Sequence, residues 1–354
     1  MATSSAFTRL VIGPMSVRTS PSPSSVAVPR EDFAPTASVE FVLIAEAGIL
    51  EAQALMLCES IREFGGRYSS AAITVVSPRG DRRPSRTTVR RLQRLGTEFL
   101  PLDLRSRCPE YGPSHKVLSL AYVARRPGPP ILVQVDSDTV FLRDPDFSLN
   151  GVDAAARPVD VKGMCTSGPG DPFDPYWRSL CRLCEVEYDQ LPMVKATVDR
   201  QVVRASYNGG LVAARRATGI FERTEEFFNR VVAAELKPWG TDQRVKSGAG
   251  LVGTAGGAYW GTSQAALSLA ITASGASVQL FPETYNIPLH LTGPAGFSEG
   301  SPIHVHYHWI GSAGEIDGNP MLDGRLHLPS ETVDWLRERL PLRAERAWWQ
   351  RLFR

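Results

Sequence analysis

This 354-residue chain has little of several things, and each shortage narrows what it can be. It holds five cysteines, an odd and thinly spread number, so no disulfide framework is implied and a reducing compartment fits better. Cys181 and Cys184 form a single C-x-x-C pair in a stretch that reads as helix, with no second pair to complete a structural zinc site. No apolar run approaches the ~18 residues of a membrane span. Net charge is only +2, which argues against a dedicated nucleic-acid binder. No internal repeat is present. What remains, 43% hydrophobic and 21% charged residues, is ordinary for a soluble globular protein with a substantial core.

The ends differ in kind from the middle. Residues 1–36 are rich in Ser, Pro and Thr, and Arg9, Arg18 and Arg30 precede the first acid, Glu31. This composition predicts a disordered tail and a cytoplasmic protein, with an organellar transit peptide as the alternative. From Arg343 the last dozen residues combine four arginines with Trp348, Trp349, Leu352 and Phe353. That pattern reads either as an amphipathic helix on an anionic membrane surface, a peripheral contact, or as tryptophans packed on the protein's own body. The expected organisation is one domain over 37–325, with nucleotide binding in its front half to about residue 150 and acceptor shaping behind. A basic helical segment, 326–354, follows it.

From Val39 the chain alternates strand and helix. Strands are expected at Val39–Ala45, Ala71–Val76, Glu98–Leu102 and Ile131–Val135, with helices at Leu50–Phe64, Ser85–Leu95 and Ser114–Ala124 between them. This rhythm predicts an α/β fold with a Rossmann-like, mostly parallel central sheet flanked by helices. Further on, short strands are expected at Thr139–Leu142, Ser277–Phe281 and Ile303–Ile310. Helices are expected at Trp177–Glu187, Gly219–Ala234 and Thr262–Thr272. The glycine-rich stretch Gly248–Gly261 reads as a mobile loop.

Asp136-Ser137-Asp138 directly follows the apolar run Ile131–Val135. Open α/β sheets bind their ligands at the carboxyl ends of such strands. Extended geometry would point both carboxylates one way, and two crowded negative charges call for a cation such as a divalent metal bound to a diphosphate. The plainer reading is an Asp that closes a turn. Three of the six histidines, His304, His306 and His308, occupy five consecutive positions and would share one face of an extended strand. They offer imidazole ligands, or else they bond nearby carboxylates and carbonyls. Tyr207-Asn208-Gly209-Gly210 leads into another apolar run, either as close-approach glycines beside a sugar-binding amide or as a simple Asn-Gly turn. Lys116, ahead of the aspartate strand, can face a phosphate as a point charge.

Taken in order, the apolar strand with Asp136-Ser137-Asp138, then Asn208-Gly209-Gly210, Tyr285-Asn286 and His308-Trp309-Ile310-Gly311 resemble GT-A fold glycosyltransferases. The likeness runs over roughly Val39 to Gly311 and is greatest to the glycogenin and galactinol synthase group. It implies a GT-A type nucleotide-diphospho-sugar transferase fold. It also implies transfer of a hexose from a nucleotide-diphosphate donor, UDP-sugar by likeness, to an acceptor hydroxyl with retention. The metal, Mn2+ or Mg2+, would be held by Asp136, Asp138 and His308, with His306 as second choice. Donor contacts would come from Ala45, Lys116, Asp136, Ser137, Asp138, Asn208, Gly209 and Gly210, and Asn208 would also face the reacting sugar. Two places depart from the group. Its Asp-Gln pair before a helix reads Ser263-Gln264 here, while Asp242-Gln243 stands some twenty residues earlier, so either Asp242 or Gln264 fills that catalytic role. The lysine that follows its His-x-x-Gly motif is missing, with Ser312-Ala313-Gly314-Glu315 in its place. A sugar nucleotidyltransferase and a non-catalytic nucleotide- or carbohydrate-binding protein on the same fold are the alternatives. No basic residue follows the first strand in Ala45-Glu46-Ala47-Gly48-Ile49-Leu50-Glu51, which counts against the nucleotidyltransferase.

Overall fold

A computed structural model describes residues 39–291, 301–312 and 318–344. The expected tail over 1–36 and the tryptophan-bearing C-terminal stretch from residue 345 lie outside the described residues. Five consecutive aliphatic or amide side chains make Ile131–Val135 (β4) buried along its whole length, as a central strand covered on both faces must be. It lies in a seven-stranded sheet built from Val39–Ile44 (β1), Ala72–Ser77 (β2), Glu98–Pro101 (β3), β4, Ala154–Pro158 (β6), Tyr207–Arg215 (β9) and Val278–Leu280 (β12). The spatial order is β12-β6-β9-β4-β1-β2-β3. Neighbours pair parallel except at β9, which runs antiparallel to both β4 and β6. The expected mixed α/β, mainly parallel architecture is therefore present.

Helices supply the two covering layers. Ile49–Phe64 (α1) and Arg86–Arg94 (α2) contribute Ala54, Leu57, Ile61 and Leu92 to one face, against Phe41, Val133 and Phe147. Pro113–Ala124 (α3), Ile220–Ala233 (α5) and Thr262–Ala273 (α7) cover the other face through Leu120, Phe221 and Leu267. Each fully buried Leu, Ile or Phe contributes roughly 1.5–3 kcal/mol. The interior thereby becomes stiff enough to hold charged groups at its rim. Asp174–Cys184 (α4) begins three residues before the expected start and ends where Glu185 turns left-handed. Its Cys181 and Cys184 are buried free thiols, pushed by burial up to about 11 and about 12.

Three smaller pieces complete the site. Thr139–Phe141 (β5) pairs antiparallel with His304–His306 (β14), which pairs parallel with Ile287–Pro288 (β13). Met193–Lys195 (β7) and Val202–Arg204 (β8) form a ribbon, as do Val245–Ser247 (β10) and Gly250–Val252 (β11). The last pair corrects an expectation. Much of Gly248–Gly261 is not a loop but one arm of a hairpin and the short helix Thr254–Gly257 (α6). Among the described residues, no helix is long and apolar enough to cross a membrane. Ser330–Arg337 (α8) falls in the expected C-terminal helical segment.

Candidate active site

Two backbone hydrogen bonds decide where the aspartates lie. The Asp136 amide donates to the Gly210 carbonyl of β9 at 2.9 Å, and the Tyr307 amide donates to the Asp138 carbonyl at 3.1 Å. Between them the chain turns, because β4 ends at Val135 and the Thr139 hydroxyl closes onto the Asp136 carbonyl at 2.6 Å. The expected extended backbone at Asp136–Asp138 is thus corrected to a turn, although both carboxylates still approach His306 Nε2. Ser137 is anchored through its hydroxyl to the Ile44 carbonyl.

The carboxylates have different neighbours. Asp136 pairs with Lys116 at 2.6 Å, and its other oxygen is 4.0 Å from His306 Nε2. Lys116 also donates to the Gly209 carbonyl at 3.0 Å. Asp138 lies 3.1 Å from His306 Nε2 and 3.5 Å from His308 Nδ1. One ligand atom from each of Asp138, His306 and His308 falls within 4.8 Å of the others. His306 and His308 stack with ring centroids 3.7 Å apart, and His290 meets His308 edge-on at 3.8 Å.

The histidine ribbon is not the continuous strand expected over Ile303–Ile310. It stops at His306, because His308 adopts a left-handed φ of 50° and opens a 3-10 turn through Ser312. Such backbone in a non-glycine residue costs about 1–3 kcal/mol, and here it lays the His308 ring over His306. His304 does not join the cluster. Its ring is fully buried against Phe141 at 4.5 Å with both nitrogens unpartnered, and burial lowers its basicity well below the ordinary value.

Electrostatics follow from these contacts. Burial pulls His306 down, but the charge and hydrogen bond of Asp138, backed by Asp136 and Asp160, outweigh it and raise its pKa. Burial disfavours the Asp138 carboxylate, yet His306 and His308 together hold its pKa below the ordinary value. Burial and the His306 charge depress His308 strongly, and burial lowers His290 to about 4. The Asp138 charge thus favours the protonated form of His306, while burial favours the neutral form of His308 and His290.

These groups open onto a cavity of about 910 Å3, within the range of small-molecule sites. Lys116, Asp136, Ser137, Asp138, Asn208, Gln264, His306 and His308 all line it. Asn208 is held between Asp160, to which its amide donates at 2.6 Å, and the Gly210 amide, which donates to it at 2.7 Å. The Asn208-Gly209-Gly210 segment is strand interior, not the alternative turn. Gly210 is required by crowding: a Cβ there would stand 2.8 Å from both His306 Nδ1 and Asn286 Oδ1. Gly209 turns its carbonyl to Lys116 and Gln134, away from the main cavity.

Ala45 and Asp242, like Gly209 and Gly210, do not line the cavity. Ala45 is wholly buried in the core with its amide bonded to Val76, and its neighbours Ile44 and Glu46 reach the cavity instead. Asp242 is exposed, touches only the Thr241 hydroxyl at 3.4 Å, and does not line the cavity. Gln264, in the first turn of α7, does. Sequence reasoning also missed lining residues. His290 and Asp160 are isolated polar residues with no local pattern. The Glu46–Arg79 ion pair and buried His115 join three segments that only the sheet brings together. The β10–β11 hairpin was hidden by its glycines. Gly248 is packed so closely on Asp138 that a Cβ would collide with that carboxylate, and its carbonyl accepts from Gln53 at 2.9 Å.

A polar cavity at the carboxyl ends of a mainly parallel sheet, lined by acids, imidazoles and lysines, is the setting of enzymes that bind nucleotide ligands. Over residues 41–243, more than half of its length, the chain matches the Rhodobacterales glycosyltransferase domain; it belongs to that family and is a glycosyltransferase enzyme of α/β fold. That membership favours glycosyl transfer over the nucleotidyltransferase alternative. No curated protein matches it. Among solved structures it is similar to the apo form of the bifunctional glycosyltransferase WbbM (TM-score 0.46, 14% identity, 89% of this chain). It spans about half of that protein, 53%. It is also similar to apo mouse xyloside xylosyltransferase 1 (TM-score 0.39, 11% identity, 77% of this chain and 97% of that one). At these values neither likeness bears on substrate.

Proposed function

We propose that the chain transfers a sugar from a nucleotide-diphosphate donor, UDP-sugar in particular, to an acceptor hydroxyl with help from a divalent cation. The observation that carries this reading is the convergence of Asp138, His306 and His308, with Asp136 and Lys116 beside them, at the lip of β4. One carboxylate and two imidazoles form a mixed oxygen and nitrogen donor set, which suits Mn2+ better than the oxygen-seeking Mg2+. His306 Nε2, 3.1 Å from Asp138, is the atom a cation would engage. When bound, such an ion supplies Lewis-acid charge opposite a diphosphate.

The protein's own groups do the rest. Lys116 pairs with Asp136 and can shift toward donor phosphate, adding a fixed positive charge near the leaving group. Lys246 of β10 sits 4.7 Å from the Trp309 ring centroid, next to the motif whose usual lysine is missing. It lines the cavity, so it can supply that phosphate contact from a different segment. Gln264 lies beside Gly209 and Lys116 and is assigned the amide role at the reacting sugar in place of Asp242. The hairpin tip at Gly248 covers Asp138 and keeps water from the donor. Retention of configuration rests on the resemblance to the glycogenin and galactinol synthase group.

The test is calorimetric titration of UDP with Mn2+ or with EDTA, followed by detection of UDP-sugar hydrolysis. Mn2+-dependent binding is expected, lost in D138A while its circular dichroism stays unchanged. Equal affinity for UDP in EDTA, or full turnover in D138A, would sink the proposal.

A further inference from the structure

The cavity that Asp138 lines also carries features that nucleotide chemistry does not need. Trp239 and Trp260 both line it and both are half-buried. They are locked together, Trp239 Nε1 donating to the Trp260 carbonyl at 2.8 Å. Phe173 packs edge-on against Trp239 at 5.1 Å, and Tyr111 against Trp260 at 6.1 Å. The rings are thus held stiff from behind while part of their surface stays open. Trp260 is followed by Gly261, whose φ of 91° starts α7 and sets Gln264 in its first turn. A Cβ at Gly209 would stand 3.7 Å from Gln264 Cγ and 3.4 Å from Lys116 Nζ. Trp260 therefore stands just before the helix that carries Gln264, and both line the same cavity.

Two of the charged groups that line the cavity are already satisfied. Lys162 is bound to Asp171 at 3.1 Å, and Asp160 accepts from Thr197 and Asn208. Neither the Gln264 side-chain amide nor the Trp260 indole N–H has a protein partner among the described residues. Flat indole surface with a free amide and a free N–H at its edge suits a ligand with an apolar face and a hydroxylated rim. A pyranose ring has that shape, with C–H bonds on its face and hydroxyls round its edge, and rigid aromatic surface binds it at little entropic cost.

We propose that Trp239 and Trp260 form the acceptor subsite and that the acceptor is a neutral saccharide, stacked on Trp260 with a hydroxyl directed toward Gln264. This rests on the sugar-transfer reading above, and the test separates the two. The full chain is applied to an array of neutral oligosaccharides, with and without UDP and Mn2+, as wild type, W260A and W260F. Retention of neutral saccharides is expected even without nucleotide. It should be about tenfold weaker in W260A, the equivalent of 1.4 kcal/mol, and largely recovered in W260F. Circular dichroism of each variant controls for folding. The proposal is overturned if no neutral saccharide is retained, or if W260A retains them as well as wild type. It is also overturned if saturation-transfer NMR shows the uridine ring, not a saccharide, losing contact in W260A. Failure of UDP to bind, with saccharides still retained, would instead sink the donor assignment alone.

Discussion

The Asp138 cluster and the Trp239–Trp260 pair line one cavity with different chemistry, the first built from a carboxylate and imidazoles and the second from indole rings. The charged cluster is also the crowded one: Asp138, His306, His308 and His290 stack within a few ångströms, with Gly248 pressed on them. The indole pair has an open face and unbonded donors. The contrast teaches that one cavity divides its work by dielectric character. On the proposed reading, fixed charges would grip a multiply charged leaving group, and dispersion with a few hydrogen bonds would hold a saccharide on the indoles.

If that division holds, substitutions in the two groups should move different measurements. D138A is expected to lower transfer about 1000-fold or more, the several kcal/mol that charge stabilisation supplies, while saccharide retention stays near wild type. Parallel loss of both would erase the distinction. K116A removes a fixed cation but leaves the Asp138 cluster intact, so transfer should fall about 100-fold with Mn2+ affinity changed far less; isothermal titration of the metal checks this. G248A forces the hairpin off Asp138 and is expected to slow transfer about tenfold while raising the fraction of donor lost to water. An unchanged ratio of hydrolysis to transfer would count against the hairpin's shielding role.

Smaller effects sharpen the boundary. Asp171, behind the indole pair, loses stabilisation to burial. Yet the Phe173 and Ser167 amides, Lys162 and the Ser167 hydroxyl hold its pKa down to about 2. Because the folded value is depressed, its stabilising contribution is present above about pH 4 and is lost as pH falls through about 2. That contribution is on the order of 1–2 kcal/mol once solvent screening is allowed for. Acid denaturation followed by circular dichroism should show a flatter low-pH limb in D171N. Last, H304F replaces an unpartnered buried imidazole with a ring of similar shape. It should shift stability by less than about 1 kcal/mol and leave Mn2+ binding intact, where H306F abolishes it. Loss of metal in both would return His304 to the cluster.

The parallel sheet and the placing of Asp138 at the lip of β4 were legible because both rest on local pattern. Unbroken apolar runs such as Ile131–Val135 specify doubly covered strands, and carboxylates at their ends fall at the ligand edge whatever the rest of the chain does. The choice among three histidines was not legible. Period-two spacing makes His304, His306 and His308 equivalent, and only the left-handed turn at His308 and the packing of Phe141 on His304 tell them apart. Asp242 against Gln264 was likewise undecidable from spacing, since which one enters the cavity depends on how the β10–β11 hairpin folds back over α1.

The amino-acid order alone thus determined which strands form, their mainly parallel arrangement and the presence of acids and imidazoles able to meet. Local backbone preference and burial act over a few residues and need no distant partner. Tertiary structure alone decided that Asp136 goes to Lys116 and Asp138 to His306, and that Gly248 closes on the latter. It also decided that Trp239 and Trp260 face the same cavity. Those pairings join residues 20 to 168 positions apart, and side-chain contact across such separations is set by packing of the whole core, which no short stretch of chain encodes.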